Sequence, residues 1–180
     1  MTSVSGLVVV GLMLLVYAAA EEKSYSLELN SFDKNTKIEN DDTWVDWGTL
    51  RMKKVGRNQY TLDGEFEFKR NIGDEQKLSL QVFSYDEGAK QKGPMVMNVN
   101  KPFCEFVNED VDTYPNLQKK SDLPEQGDCP FPKGKYTIDN YELETTFLPD
   151  DAPKGDYLLE LTLLDNEASL SGLVASVTLT

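Results

Sequence analysis

Period-two alternation of apolar and polar residues recurs along this chain and commits most of it to half-buried β-strands. In "YTLDGEFEFK", Tyr60, Leu62, Phe66 and Phe68 fall on one face, while Thr61, Asp63, Glu65, Glu67 and Lys69 fall on the other. Side chains of a strand alternate between its two faces, so one face is core and the other is wet. The same arithmetic selects Tyr25, Leu27 and Leu29, then Leu50 and Met52, then Leu78, Leu80 and Val82, then Met95, Met97 and Val99. The carboxyl-terminal third is the most regular. There, "YELETTF" aligns Tyr141, Leu143, Thr145 and Phe147, "DYLLELTLL" aligns Tyr157, Leu159, Leu161 and Leu163, and "LVASVTL" aligns Leu173, Ala175, Val177 and Leu179. Linkers such as "NIGDEQ", "DEGAKQKGP" and "DNEASLSG" supply the Gly, Pro, Asn and Asp that turns require.

Alternation stops between Asn100 and Asp128, where Phe103, Phe106 and Val107 recur at helical spacing. One short helix beginning at Pro102 fits, because proline is tolerated in a first turn and acidic residues favour a helix start. Past Tyr114-Pro115 the sequence reads as loop. About eight short strands, one brief helix and no repeat predict an all-β fold, an antiparallel two-sheet sandwich or cup.

The first twenty residues, "MTSVSGLVVVGLMLLVYAAA", carry an apolar run from Leu7 to Val16 and small residues at Ala18, Ala19 and Ala20. They read as a secretory signal peptide over 1–20, too short in its apolar run for the roughly 20 residues of a spanning helix. A single domain over 21–180 remains, and the protein is expected outside the cell. Cys104 and Cys129 are the whole cysteine complement, which leaves a disulfide or two free thiols. In an oxidising secretory path a disulfide is the simpler state, closing a loop of about 26 residues.

Composition excludes several chemistries. The chain has no histidine, so no Ser-His-Asp or Cys-His arrangement and no histidine-ligated metal is available. With 18 basic and 31 acidic residues it carries a net charge of -13, which repels phosphate backbones. Nucleic acid is not an expected partner and tight binding to anionic membranes is disfavoured, with Lys53-Lys54 and Lys119-Lys120 as local basic exceptions. "NEDVD" (Asn108 to Asp112) superficially offers oxygen ligands, but a calcium loop would want glycine and glutamate where Thr113 and Lys119 stand. The adjacent acids Asp41-Asp42 and Asp150-Asp151 lie in turn-like sequence and show no sign of facing across a cleft, as glycosidic chemistry needs. No nucleophile with a base, no metal site, no cofactor and no enzymatic activity is therefore expected.

The order "PFCEF" (Pro102 to Phe106), Tyr114-Pro115, "KSDLPEQGDCPFPKGKYTIDNY" (Lys120 to Tyr141) and "PKGDYLLELTL" resembles a large family of secreted insect proteins of unknown function. That family is distantly similar to the ML lipid-recognition domains, which include the ganglioside activator protein, the sterol carrier of Niemann-Pick disease and the insect CheA and CheB chemosensory groups. The resemblance implies an ML-like β-cup, open between its sheets, whose apolar interior holds a lipid or another hydrophobic small molecule. Cys104 and Cys129 match the family's paired cysteines. Carried onto the alternating faces, this makes Phe66, Phe68, Leu80, Val82, Met95, Met97, Phe147 and Leu161 the candidate ligand-lining residues. The expected role is a non-enzymatic carrier in insect chemosensation or lipid transport, with a membrane or receptor as a further partner. The alternative is a secreted module with a filled core that acts through protein-protein contact, by way of an exposed edge strand or of Trp44 or Trp47. These two tryptophans sit three apart, so on one straight strand they would point to opposite faces and leave one exposed, but ordinary packing of both at a bent strand is the favoured reading.

Overall fold

A computed structural model describes residues 25–39, 41–111, 113–144, 148 and 152–180. The predicted signal segment over 1–20 lies outside the described residues. Among them the chain forms nine strands and two short helices: β1 (Leu27–Lys34), β2 (Val45–Asp46), β3 (Arg51–Gly56), β4 (Gln59–Phe68), β5 (Gln76–Asp86), β6 (Gln91–Pro102), α1 (Phe103–Glu109), α2 (Thr113–Gln118), β7 (Gly134–Tyr141), β8 (Gly155–Asp165) and β9 (Ala168–Leu179). The all-β, two-sheet architecture is the one that the alternation predicts.

One sheet has five strands in the order β1-β9-β8-β5-β6, antiparallel throughout. In the other, β4 is central. Phe68 pairs with both Val45 and Gly134, and Leu62 with both Met52 and Tyr141, so β2 and β3 share one edge of β4 and β7 takes the opposite edge. The inner faces meet in one core that joins Leu29, Leu163, Ala175 and Val177 of the first sheet to Leu62, Phe66, Phe68, Tyr136 and Ile138 of the second.

Extra residues inserted into strands retune this alternation. Asn30 is the added residue where β1 pairs β9, which brings Phe32 to the same side as Leu29 and against the core. In β7 the additional residue falls between Ile138 and Tyr141, where Asn140 takes a φ of 49°. Opposite it, Gly64 has a φ of 130°, and a Cβ there would stand 2.4 Å from the Thr49 carbonyl oxygen.

Two local readings are corrected. The segment after Tyr114-Pro115 is helical through Gln118 rather than loop, because the Asp110 carboxylate accepts the Thr113 and Tyr114 amides at 3.0 and 2.7 Å and starts a second helix. The strand expected over "YELETTF" instead occupies Gly134–Tyr141. Glu142 to Glu144 are not strand, and Thr145 and Phe147 lie outside the described residues. The strand between the tryptophans is only Val45–Asp46, and Trp44 and Trp47 both pack against the core, the ordinary packing expected of them. The Trp47 indole donates to Ser171 Oγ at 2.8 Å, and the Arg70 guanidinium lies 4.7 Å from the Trp44 ring centroid.

Cys104 in α1 and Cys129 form a disulfide. In the chain-entropy account a loop of this size contributes about 3 to 4 kcal/mol, so Cys104→Ala with Cys129→Ala should lower the denaturant-unfolding free energy by about that amount. Gly64→Ala should cost at least about 2 kcal/mol in the same assay, because the backbone contact and the φ act together. An unchanged midpoint in either variant would contradict the corresponding account.

Candidate ligand site

The register of β5 assembles the site. Leu80 stands opposite Leu161 of β8 and Val99 of β6, and Val82 stands opposite Leu159 and Met97. These six side chains share a face with Leu78 and Leu163, which pack in or against the core, so the patch looks inward. Val82 is buried, while Leu80, Met97, Val99, Leu159 and Leu161 are half-buried. Leu159 touches the core cluster, whereas Leu80, Met97, Val99 and Leu161 do not belong to it. The result is an apolar wall beside the packed core, continuous with it through Leu78 and Leu159. Of the predicted lining residues, Leu80, Val82, Met97 and Leu161 meet here. Val99 and Leu159, which complete the wall, follow from the same alternation once the register is known.

Met95 is not beside Met97. Val96 is an extra residue in β6, so Met97 pairs with Val82 but Met95 pairs with Phe83, whose parity turns it to the other side of the sheet. Met95 is 47% exposed and Val96 56% exposed. Phe147 lies outside the described residues.

Phe66 and Phe68 belong to the opposing sheet and to a filled aromatic cluster. Phe68 makes edge-to-face contacts with Phe66, Phe103 and Phe131 at centroid distances of 5.4, 6.1 and 5.6 Å. Tyr136 packs 5.8 Å from Phe66 and 5.6 Å from Phe131. Such pairs add about 0.5 to 1.5 kcal/mol each beyond the area they bury. The cluster is anchored by backbone bonds in both directions between Ile72 and Phe131, of 2.9 and 2.7 Å, and by the Tyr136 hydroxyl donating to the Pro132 carbonyl at 2.6 Å. The disulfide thus holds α1 and the Phe131 segment over β4, with aromatic rings filling the space beneath.

A cleft of about 120 Å³ opens between the sheets where β1 meets the β3–β4 turn and the end of β7. Leu27, Leu29, Tyr60 and Leu143 supply its apolar wall, and Glu28, Asn58, Gln59 and Glu142 supply the rim. A larger depression of about 270 Å³ lies on the β5–β6 hairpin, lined by Ser84, Tyr85, Asp86, Gln91, Lys92 and Gly93. It lies at the hairpin end of β5 and β6, past Val82 and Met97, and its lining residues are not part of the apolar wall.

The polar groups of the interior are few. The Tyr114 hydroxyl donates to the Pro124 carbonyl at 2.8 Å, and burial raises its pKa above the ordinary phenol range. The Tyr141 hydroxyl is also raised, first by burial and then by nearby Glu144 and Asp110, yet it has no hydrogen-bond partner. Neither phenol ionises at neutral pH. The acids considered for catalysis have structural partners: Asp41 accepts the Thr43 amide at 2.9 Å, and the Thr43 side chain and backbone hold it below its ordinary pKa, while Asp42 accepts from Lys34 Nζ at 2.8 Å. Asp150 and Asp151 lie outside the described residues, and among those described no three acids or cysteines gather as a metal site.

An unpaired buried hydroxyl costs about 1 to 3 kcal/mol. Tyr141→Phe should therefore leave the fold unchanged and raise the unfolding free energy by about 1 kcal/mol, read by urea denaturation; destabilisation would show that the hydroxyl has a bonded role.

No curated protein matches the chain. Residues 78–159 match the family described as "Protein of unknown function (DUF1091)", a stretch that runs from Leu78 in β5 through β6, both helices, the disulfide and β7 to Leu159 in β8.

Proposed function

We propose that the protein is a secreted, non-enzymatic carrier that holds a lipid or another hydrophobic small molecule against the inner face of its five-stranded sheet. The observation that supports this most is the apolar wall of Leu80, Val82, Met97, Val99, Leu159 and Leu161, whose outer members stand half-buried beside the core. Apolar side chains left half-covered on an inner face retain driving force for burial, about 25 cal/mol for each Å² removed from water. A flexible or branched hydrocarbon suits such a wall, because Met97 adapts its rotamers and the leucines offer smooth contact. Release is controlled by opening of the cup's rim. The resemblance to insect chemosensory proteins makes perception or transport of lipid-like molecules the setting.

The second reading, an interaction module with a filled interior, is favoured by one feature: β6 is an edge strand of twelve residues with Met95 and Val96 exposed.

Native and denaturing mass spectra of the secreted protein separate the two. A stoichiometric difference in mass that extraction resolves into a lipid supports the carrier. Uptake of a fluorescent fatty acid or sterol should then fall roughly tenfold in Leu161→Gln, as expected for losing about 1 to 2 kcal/mol of apolar contact. A protein that is empty as isolated and takes up neither probe would leave the interaction module as the reading.

A further inference from the structure

We infer that the β3–β4 hairpin is a docking surface for anionic lipid bilayers. Arg51, Lys53, Lys54 and Arg57 place four of the chain's 18 basic residues within "RMKKVGR", and no acid occurs between Asp46 and Asp63. The hairpin lies on the outer edge of the smaller sheet, where Lys54 pairs Tyr60 and Gly56 pairs Gln59, with Val55 as the extra residue between them. Arg51, Lys54 and Arg57 are exposed, and Val55 among them is 46% exposed. Lys53 is committed to Asp63 at 2.9 Å. The Arg51 guanidinium donates to the Thr49 carbonyl, and Lys54 reaches over the Tyr60 ring at 5.9 Å. No carboxylate forms an ion pair with Lys54 or Arg57 among the described residues. Arg51 stands opposite Asp63 in the ladder and, after the Lys53 hydrogen bond, helps to hold that carboxyl below its ordinary pKa.

Cations bracketing an exposed aliphatic side chain match the headgroup layer of an anionic bilayer, where charge draws the hairpin in and Val55 enters the interface. A sulfated polysaccharide or free phosphate would use the cations and leave Val55 idle. The net charge of -13 does not forbid this contact. At physiological ionic strength fields decay over about 8 Å, so acids farther than that from the bilayer are largely screened while the hairpin's charges touch it. The same turn supplies Asn58, Gln59 and Tyr60 to the cleft. The surface stands on the hairpin's own residues, whether or not the cleft carries a ligand.

Flotation of the folded protein with vesicles tests this, using phosphatidylcholine alone and phosphatidylcholine with phosphatidylserine in equal parts. The protein should float only with the anionic vesicles and should be released by high salt. The R51Q/K54Q/R57Q variant should lose partitioning by about fivefold per residue, roughly a hundredfold together, with its circular dichroism unchanged. V55D should also reduce flotation, and K119Q/K120Q, which removes an adjacent pair of cations elsewhere in the chain, should not. Equal flotation with neutral vesicles, full binding by the triple variant, or equal loss in K119Q/K120Q would overturn the assignment. Capture by immobilised heparin that V55D does not alter, with no flotation, would assign the hairpin to a sulfated polysaccharide instead. Fluorescent-lipid uptake on the same variants is read separately: lost uptake with flotation intact counts against the carrier and not against docking.

Discussion

The register of β5 between β8 and β6 is the constraint on which the candidate site depends. Leu80 faces Leu161 and Val99 across its two ladders, and Val82 faces Leu159 and Met97. Because side chains alternate with period two, a slip of one residue would replace this wall with Lys77, Ser79 and Gln81 and send the leucines to the opposite face. What resists the slip is burial. Leu78 and Leu163, paired on the same face, are held by the core, and the ladder from β1 through β9 fixes β8 in turn.

The molecule divides the space between its sheets unequally. Towards β4 and β7 the rings of Phe66, Phe68, Phe103, Phe131 and Tyr136 close it, tied by the disulfide and by the Ile72–Phe131 bridge. Towards β5 and β6 the wall is aliphatic and only half-covered. Rigid aromatic packing fixes the relative position of the two layers. Adaptable aliphatic side chains then line the part from which a ligand could be held.

The sheets were legible because an apolar stripe of period two runs through β4, β5, β8 and β9. Thr61, expected on the wet face, is nonetheless buried, Phe83 and Leu158 are buried on the face opposite the wall, and β9 is buried on both faces. What sequence concealed was insertion. Nothing about Val96 or Asn30 announces an extra residue, yet the first separates Met95 from Met97 and the second brings Phe32 inward. The second helix was hidden because its start rests on Asp110 reaching Thr113 and Tyr114, a contact outside any apolar period. Phe66 and Phe68 were singled out correctly as inward-facing, but which inward residues fill and which line depends on the partner layer. No single-strand pattern carries that information. The Tyr141 hydroxyl had no sequence signal at all, since its isolation arises from neighbours brought together by the fold.

Among the described residues strand β6 leaves one side of the larger sheet with a free ladder, which is an invitation to fibril growth. Its sequence answers that hazard locally. Pro94 has no amide hydrogen to offer an incoming strand, Val96 breaks the even spacing that a second ladder would need, and Lys92 near the hairpin end bonds to Glu160 instead of lying along the edge. The insertion that moved Met95 away from the ligand wall therefore also roughens the strand against self-assembly. An edge shaped in this way tolerates high protein concentration, and it keeps two exposed apolar side chains from becoming a template.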